Sequence, residues 1–249
     1  MKYGYCFLGV VPVRKEPKST SEQVTQLLFG DFVETIETCD GWTKIRNTAD
    51  GYEGFVDSRN LLPIARKRKN NYFTTNMFSY IQMDRELIPV PFGAKLIGKD
   101  FTIGEHHFQV PHTNFSKTLD FTKENIREIV LPFLNVPYLW GGKSSMGIDC
   151  SGFTQIVYSC FGIDLPRDAS EQVKMGKEIP SVFAAKEGDL CFFSNEDGRI
   201  SHVGIFLEKQ YIIHASGRVR IDLIDNNGIT DHSTREYTHW LQHIRRIFD

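Results

Sequence analysis

Cys150 lies in the run Gly147-Ile148-Asp149-Cys150-Ser151-Gly152-Phe153, where a glycine-rich stretch gives way to a helical pattern. The residues before it, Pro137-Tyr138-Leu139-Trp140-Gly141-Gly142, read as an irregular loop. Those after it, Phe153-Thr154-Gln155-Ile156-Val157-Tyr158-Ser159-Cys160-Phe161, carry apolar residues at helical spacing and stop at Gly162. A thiol in the first turn of a helix meets unpaired backbone N–H groups and the positive end of the helix dipole, which favour an anion. The expectation is a thiol whose pKa is lowered toward neutrality, with the thiolate as the attacking species. A lone cysteine at a helix start is more commonly a small core residue, so the nucleophile reading needs a base.

Two histidines can supply one. Ser201-His202-Val203-Gly204-Ile205-Phe206-Leu207 reads as a strand and Tyr211-Ile212-Ile213-His214-Ala215-Ser216 as its return. Cysteine nucleophiles need a base within hydrogen-bond reach and a third group that orients the base. With a two-residue loop at Lys209-Gln210 the histidines face opposite sides of the sheet. With a three-residue loop, Glu208-Lys209-Gln210, they become diagonal neighbours on one face, about 7–8 Å apart between backbones. The other six histidines read as structural.

Taken together, Tyr138-Leu139-Trp140-Gly141-Gly142, Asp149-Cys150-Ser151-Gly152-Phe153, His202-Val203-Gly204-Ile205 and Ile213-His214-Ala215 resemble the NlpC-type cell-wall cysteine peptidases, papain-like enzymes with a Cys-His-His triad. The resemblance spans roughly residues 120 to 249. It implies Cys150 as nucleophile, His202 as base and His214 as orienter, with Tyr138 beside the nucleophile to help bind the oxyanion. Ser151, Trp140 and Ser201, close to these residues in the chain, are assigned to substrate contact.

The run Leu165-Pro166-Arg167-Asp168-Ala169-Ser170-Glu171-Gln172 is similar to that of the YkfC-like subgroup, γ-D-glutamyl-L-diamino-acid endopeptidases. There an acidic residue at the place of Asp168 holds the free α-amine of the substrate. Ala169 stands where many members have serine, so one hydrogen bond to the substrate terminus is missing. Asp168 also suits the N-cap of a helix starting near Ala169, and a carboxylate can do both. The resemblance further implies an amino-terminal SH3-like domain that lends a tyrosine to the amine pocket. Tyr52, in Gly51-Tyr52-Glu53-Gly54, is the candidate, against a plain reading as a half-exposed turn aromatic. The implied substrate is a murein stem peptide with an unblocked N-terminal L-alanine, cut without metal or organic cofactor. A papain-like amidase or acyltransferase is the alternative, as is a non-catalytic wall-binding protein.

The elements that must position these residues are α+β: a papain-like catalytic domain over 114–249 preceded by a small all-β SH3-like barrel over 1–64. Short runs separated by turn residues at Val10–Val13, Gln26–Leu28, Phe32–Glu37, Trp42–Arg46 and Glu53–Val56 predict the barrel strands. Residues 65–113 read as a connecting segment or a partial second SH3-like module. A helix is predicted near Thr122 to Phe133, a strand at Leu190-Cys191-Phe192-Phe193 and a final strand at Trp240 to Ile247.

A chain of 249 residues suits more than one core. A net charge of −2 gives no general attraction to nucleic acid, and no apolar run is long enough for membrane insertion. Arg66-Lys67-Arg68-Lys69 reads as a solvated linker. Five cysteines without close-spaced pairs argue against a disulfide framework and a zinc site. The run Tyr3 to Val11 has one Lys before it and no small-residue cleavage site. A cytoplasmic location is therefore expected, with the cell envelope as the alternative if an export signal has been removed.

Overall fold

The first 64 residues fold as their alternation dictates. Strands β1 (Tyr3–Cys6), β2 (Val10–Arg14), β3 (Gln23–Leu28), β4 (Phe32–Cys39), β5 (Trp42–Asn47), β6 (Glu53–Asp57) and β7 (Leu61–Ile64) form an antiparallel sheet in the order β3-β2-β6-β5-β4-β1-β7. In β2 every second residue, Val11 and Val13, turns inward and joins Cys6, Leu27, Val33, Ile45 and Val56 in one core. Asp40 and Gly41 both take positive φ (51° and 80°) between β4 and β5, the two-residue turn whose twist matches paired strands. The sequence predicts five of these strands. β1 and β7, which pair with each other, are additional. The computed structural model describes residues 2–110, 114–195, 197–231 and 233–248. Of the six histidines read as structural, His112 and His232 lie outside the described residues.

The segment 65–113 is more than a connection. It holds β8 (Tyr72–Thr74), β9 (Phe78–Met83), β10 (Glu86–Pro91), β11 (Lys95–Leu96), β12 (Asp100–Ile103) and β13 (His106–Gln109), with β14 (Phe115–Ser116) just beyond. These form two small sheets, β10-β9-β13-β12 and β11-β8-β14. Ile81, Met83, Val90, Phe101 and Phe108 share one core with Tyr5, Phe29 and Phe32 of the barrel. Phe101 stacks on Phe108 at 5.1 Å, and Phe29 meets Phe108 edge-on at 5.7 Å. Strands this short need a neighbour's apolar face to be stable, and the barrel provides it.

The remaining residues build helices on a second sheet. Helix α1 (Lys123–Val130) begins at Thr122, whose Oγ1 accepts from the Asn125 N–H at 3.2 Å. Strands β15 (Lys143–Ser144) and β16 (Gly147–Ile148) lead into α2 (Cys150–Ser159), followed by α3 (Ala169–Gln172). Strands β17 (Lys177–Glu178), β18 (Leu190–Ser194), β19 (Ile200–Leu207), β20 (Tyr211–Ser216), β21 (Arg218–Ile224), β22 (Gly228–Thr230) and β23 (Tyr237–Arg246) follow in the order β17-β23-β18-β19-β20-β21-β22. β22 also pairs with β23, which closes six of these strands on themselves. Helix α2 is buried from Cys150 to Tyr158. Its apolar residues pack with Val203, Ile205 and Ile213 of the sheet and with Phe92 and Phe133 from other parts of the chain, while its buried Ser151, Thr154 and Gln155 are hydrogen-bonded. The molecule is α+β, with the amino-terminal barrel set against a papain-like domain.

Candidate active site

Asp149 starts α2. Its Oδ1 accepts from the Gly152 N–H at 2.7 Å, and its Oδ2 accepts from the Gly141 N–H at 2.9 Å. A β-carbon at Gly152 would lie 2.2 Å from the Gly142 carbonyl oxygen, so only glycine lets the loop approach the helix this closely. Cys150 is thereby fixed as the first helical residue, with its side chain against β19. Its Sγ lies 3.9 Å from the Ser201 carbonyl oxygen and meets the Val203 amide, so the two residues that flank His202 bracket the sulfur.

The hairpin that carries the histidines has the three-residue connection. Glu208–Gln210 link β19 to β20, with Lys209 and Gln210 at positive φ (59° and 65°). Gly204 therefore faces His214, and His202 is the diagonal neighbour of His214 on the same face. A β-carbon at Gly204 would sit 2.9 Å from the Cβ of His214, so glycine here leaves room for the imidazole. His202 Nε2 lies 2.8 Å from His214 Nδ1. His214 Nε2 lies 3.0 Å from Asp222 Oδ2 on the next strand.

Cys150 and His202 are both buried. Burial pushes the Cys150 thiol up to about 11, and the Asp149 carboxylate adds to the shift. Burial also holds His202 well below its usual range, helped by His214 and His239 beside it. The expectation of a thiol drawn toward neutrality is corrected here: losing hydration of the sulfur outweighs the free N–H groups at the start of α2.

A cavity of about 320 Å³ opens in front of Cys150. Tyr138, Trp140, Ser151, Asp168, Ser201 and Tyr52 all line it, whereas His202 and His214 lie buried behind. Burial pushes the Tyr138 hydroxyl up to about 12, with the Cys150 and Asp149 charges adding to it, so the hydroxyl keeps its proton as a donor. The Ser151 hydroxyl is committed inward: it accepts from Arg167 at 2.7 Å and faces Asp149 Oδ1 at 3.3 Å, which makes it a support for the loop. Trp140 donates its indole N–H to Glu22 of the barrel at 2.9 Å. Asp168 occupies the N-cap position of α3, yet its side chain makes no capping hydrogen bond, so the capping role is not observed.

Tyr52 reaches the cavity from the barrel. Asp50 Oδ1 accepts from the Tyr52 N–H at 3.0 Å, and Asp50 Oδ2 accepts from Gln155 Nε2 of α2 at 2.9 Å. One carboxylate thus fastens the turn that carries Tyr52 to the helix that carries Cys150. Burial raises the Tyr52 hydroxyl's pKa, and the Asp168 charge is the next cause.

Sequence reasoning misses Asp222, Arg167 and His239. The ring of His239, one of the six histidines read as structural, stacks on His202 with centroids 4.2 Å apart. Burial and the neighbouring His214 hold His239 down to about 4. Nitrogens of His202, His214 and His239 lie within 4.8 Å of one another. His202 Nε2 and His214 Nδ1 meet in a hydrogen bond, whereas the His239 ring stacks on His202 from the side. The one sequence signal for Asp222 is its same-face alternation with Arg220 in β21.

A cysteine at the head of a buried helix, packed against a sheet that carries paired histidines, is the papain-like arrangement. Residues 135–238 match the family described as NlpC/P60, and residues 13–61 match the bacterial dipeptidyl-peptidase SH3 domain. The chain therefore carries an NlpC/P60 peptidase-family domain behind a bacterial SH3 domain. A γ-D-glutamyl-L-lysine dipeptidyl-peptidase of Bacillus subtilis (strain 168) is 43% identical over 96 residues, 38% of this chain and 32% of that protein. The match thus spans about a third of that relative's length. Dipeptidyl-peptidase 6 of Lysinibacillus sphaericus is 27% identical over 234 residues, 81% of this chain and 83% of that protein. In fold, the chain is similar to an NlpC/P60 family protein from Bacillus cereus ATCC 10987, with a TM-score of 0.82, 19% identity, and coverage of 98% of this chain and 99% of that one.

Proposed function

We propose that this protein is a cysteine peptidase that hydrolyses the bond between γ-D-glutamate and a diamino acid in free murein stem peptides with an unblocked N-terminal L-alanine. The observation that carries the reading is the single cavity shared by Cys150, Asp168 and Tyr52. It sets a carboxylate and a phenol where they can grip an ammonium while the thiol faces a carbonyl further along the peptide. The names of the relatives, dipeptidyl-peptidases, agree with a site that counts from a free amino terminus.

In this mechanism His202 takes the Cys150 proton as the sulfur attacks the γ-carbonyl. The Cys150 backbone N–H and the Tyr138 hydroxyl stabilise the oxyanion. The imidazolium of His202 protonates the leaving amine, and His202 then activates the water that releases the glutamyl product. His214 holds the His202 ring. No step calls on a metal or organic cofactor. A requirement for a free amine suits peptides already released from the wall, so we place the reaction in cytoplasmic recycling; fractionation of the native protein into the cell envelope would overturn that location.

The test is product analysis by mass spectrometry on a synthetic L-Ala-γ-D-Glu-L-Lys peptide. Release of L-Ala-γ-D-Glu and free lysine supports the reading. Release of any other fragment, or ligation of the peptide to an added amine, overturns it in favour of an amidase or acyltransferase.

A further inference from the structure

We propose that Asp222 is a positioning residue that sets the tautomers of both histidines, so that the one free lone pair of His202 is directed at Cys150; this rests on the cysteine-peptidase reading above. The three residues form a staircase across adjacent strands. His202 on β19 is the diagonal neighbour of His214 on β20, and His214, which faces Arg220, is the diagonal neighbour of Asp222 on β21. Each step is a hydrogen bond, 2.8 Å from His202 Nε2 to His214 Nδ1 and 3.0 Å from His214 Nε2 to Asp222 Oδ2.

The direction of the protons follows from the last residue. Arg220 grips the Asp222 carboxylate with both arms, Nε to Oδ2 at 2.7 Å and one terminal nitrogen to Oδ1 at 2.8 Å, and that same nitrogen reaches Asp231 Oδ2 at 2.7 Å. An ionised carboxylate can only accept hydrogen bonds, so the proton on neutral His214 must be on Nε2. His214 Nδ1 is then a bare acceptor, and the proton of neutral His202 must be on Nε2 to meet it. Nδ1 of His202 is left as the free basic nitrogen of that ring. Without Asp222, His214 can carry its proton on Nδ1 and donate to His202 Nε2. That places the His202 proton on Nδ1, and the base has no lone pair for the thiol.

Asp222 is 2% exposed, which keeps water from substituting for it. Among the described residues, the charged and titratable groups around it include His214 on β20, Arg220 on its own strand, Asp231 beyond β22 and His239 on β23, with His202 one hydrogen bond further along.

The experiment has two arms. In the first, His-labelled protein is examined by ¹⁵N NMR. The expected result is a protonated Nε2 on His214 and on His202 in the wild type, and a protonated Nδ1 on His214 in Asp222→Asn. A wild-type His214 protonated on Nδ1 overturns the proposal, whether or not the protein proves to be a peptidase. If Asp222→Asn does not fold, the wild-type tautomers alone decide. In the second arm, kcat and KM are measured for the free tripeptide. Asp222→Asn is expected to lower kcat by about 10–10²-fold with KM unchanged, less than the ~10⁴-fold lost when a carboxylate bonded directly to the catalytic imidazole is replaced. The limb of the pH–rate profile governed by His202 moves to lower pH, because the imidazolium loses a nearby negative charge. Asp222→Glu restores part of the rate, and Asp222→Asn adds nothing in a His214→Ala background. An unchanged kcat and pH profile in a protein whose Cys150→Ala variant is dead overturns the role of Asp222 and leaves the peptidase reading standing.

Discussion

Arg167 donates through Nε to Thr25 Oγ1 at 2.8 Å, joining the loop before α3 to strand β3 of the barrel. The other arms of the same guanidinium hold both oxygens of Asp149, at 3.1 and 2.6 Å. Arg167 is 3% exposed, so this cation is buried among its partners. The carboxylate that starts the Cys150 helix and the barrel that carries Tyr52 therefore share one fixed charge. Domain docking and active-site geometry are coupled through it.

Replacing Arg167 by Met leaves the Asp149 carboxylate buried without its cation. The expected loss is about 3–5 kcal/mol of stability, the scale for breaking one side of a buried ion pair. Thr25→Val removes a single hydrogen bond to a charged group and should cost roughly 1.5–3 kcal/mol. Urea unfolding midpoints decide both, and an Arg167→Met midpoint equal to the wild type would show that the pair does not hold the domains.

Cys150→Ala should abolish turnover with the unfolding midpoint nearly unchanged, because it deletes one sulfur at the edge of the core. His202→Ala should do the same to kcat, while His214→Gln should retain a reduced rate because it alters orientation alone. Hydrolysis by Cys150→Ala that survives re-purification would remove the nucleophile assignment.

The raised thiol gives a pH prediction with a definite sign. In the free protein, alkylation of Cys150 by iodoacetamide should be slow at neutral pH and keep rising as pH approaches about 11. The measurement needs a Cys39→Ser background, since Cys39 is exposed. For turnover, His202 must be unprotonated, and its depressed pKa puts the acid limb below the usual histidine value of about 6.5. The profile should be bell-shaped, with limits that belong to the coupled pair. Alkylation already saturated at neutral pH would mean a resting thiolate–imidazolium pair instead.

Acetylating the substrate amine removes the charge that Asp168 would pair with, and should cost on the order of 1.5–3 kcal/mol in kcat/KM. Tyr52→Phe should raise KM for the free tripeptide and leave the acetylated peptide unaffected. Burial raises the pKa of Asp168, so its charge is present above that raised value and lost as pH falls through it. KM for the free peptide should therefore begin to rise on the acid side at a pH above that of an ordinary aspartate. Equal kcat/KM for free and acetylated peptides would end the amine-recognition idea.

Much of the site was legible because its signals are local. The glycine-rich stretch before Cys150 and the apolar period after Phe153 both act within one or two turns, and they placed Cys150 at a helix start without any tertiary information. Barrel strands such as Val10–Arg14 were legible for the same reason, since period-2 burial repeats within a few residues. The segment 65–113 was harder to read because its strands complete a core whose other half, Tyr5, Phe29 and Phe32, belongs to the barrel.

The sequence by itself set Cys150 at a helix start and His202 and His214 on consecutive strands, since residue type and near-neighbour spacing are written along the chain. The tertiary structure decided the rest. It chose the three-residue hairpin connection through two non-glycine residues at positive φ, which carry no turn signature, and so put His202 and His214 on one face. It set Asp222 behind His214, stacked His239 on His202 and ran Arg167 to Thr25, all through strand register and domain docking. It also reversed the expected thiol shift, because a helix terminus acts within one turn, whereas desolvation depends on every element that closes over the sulfur.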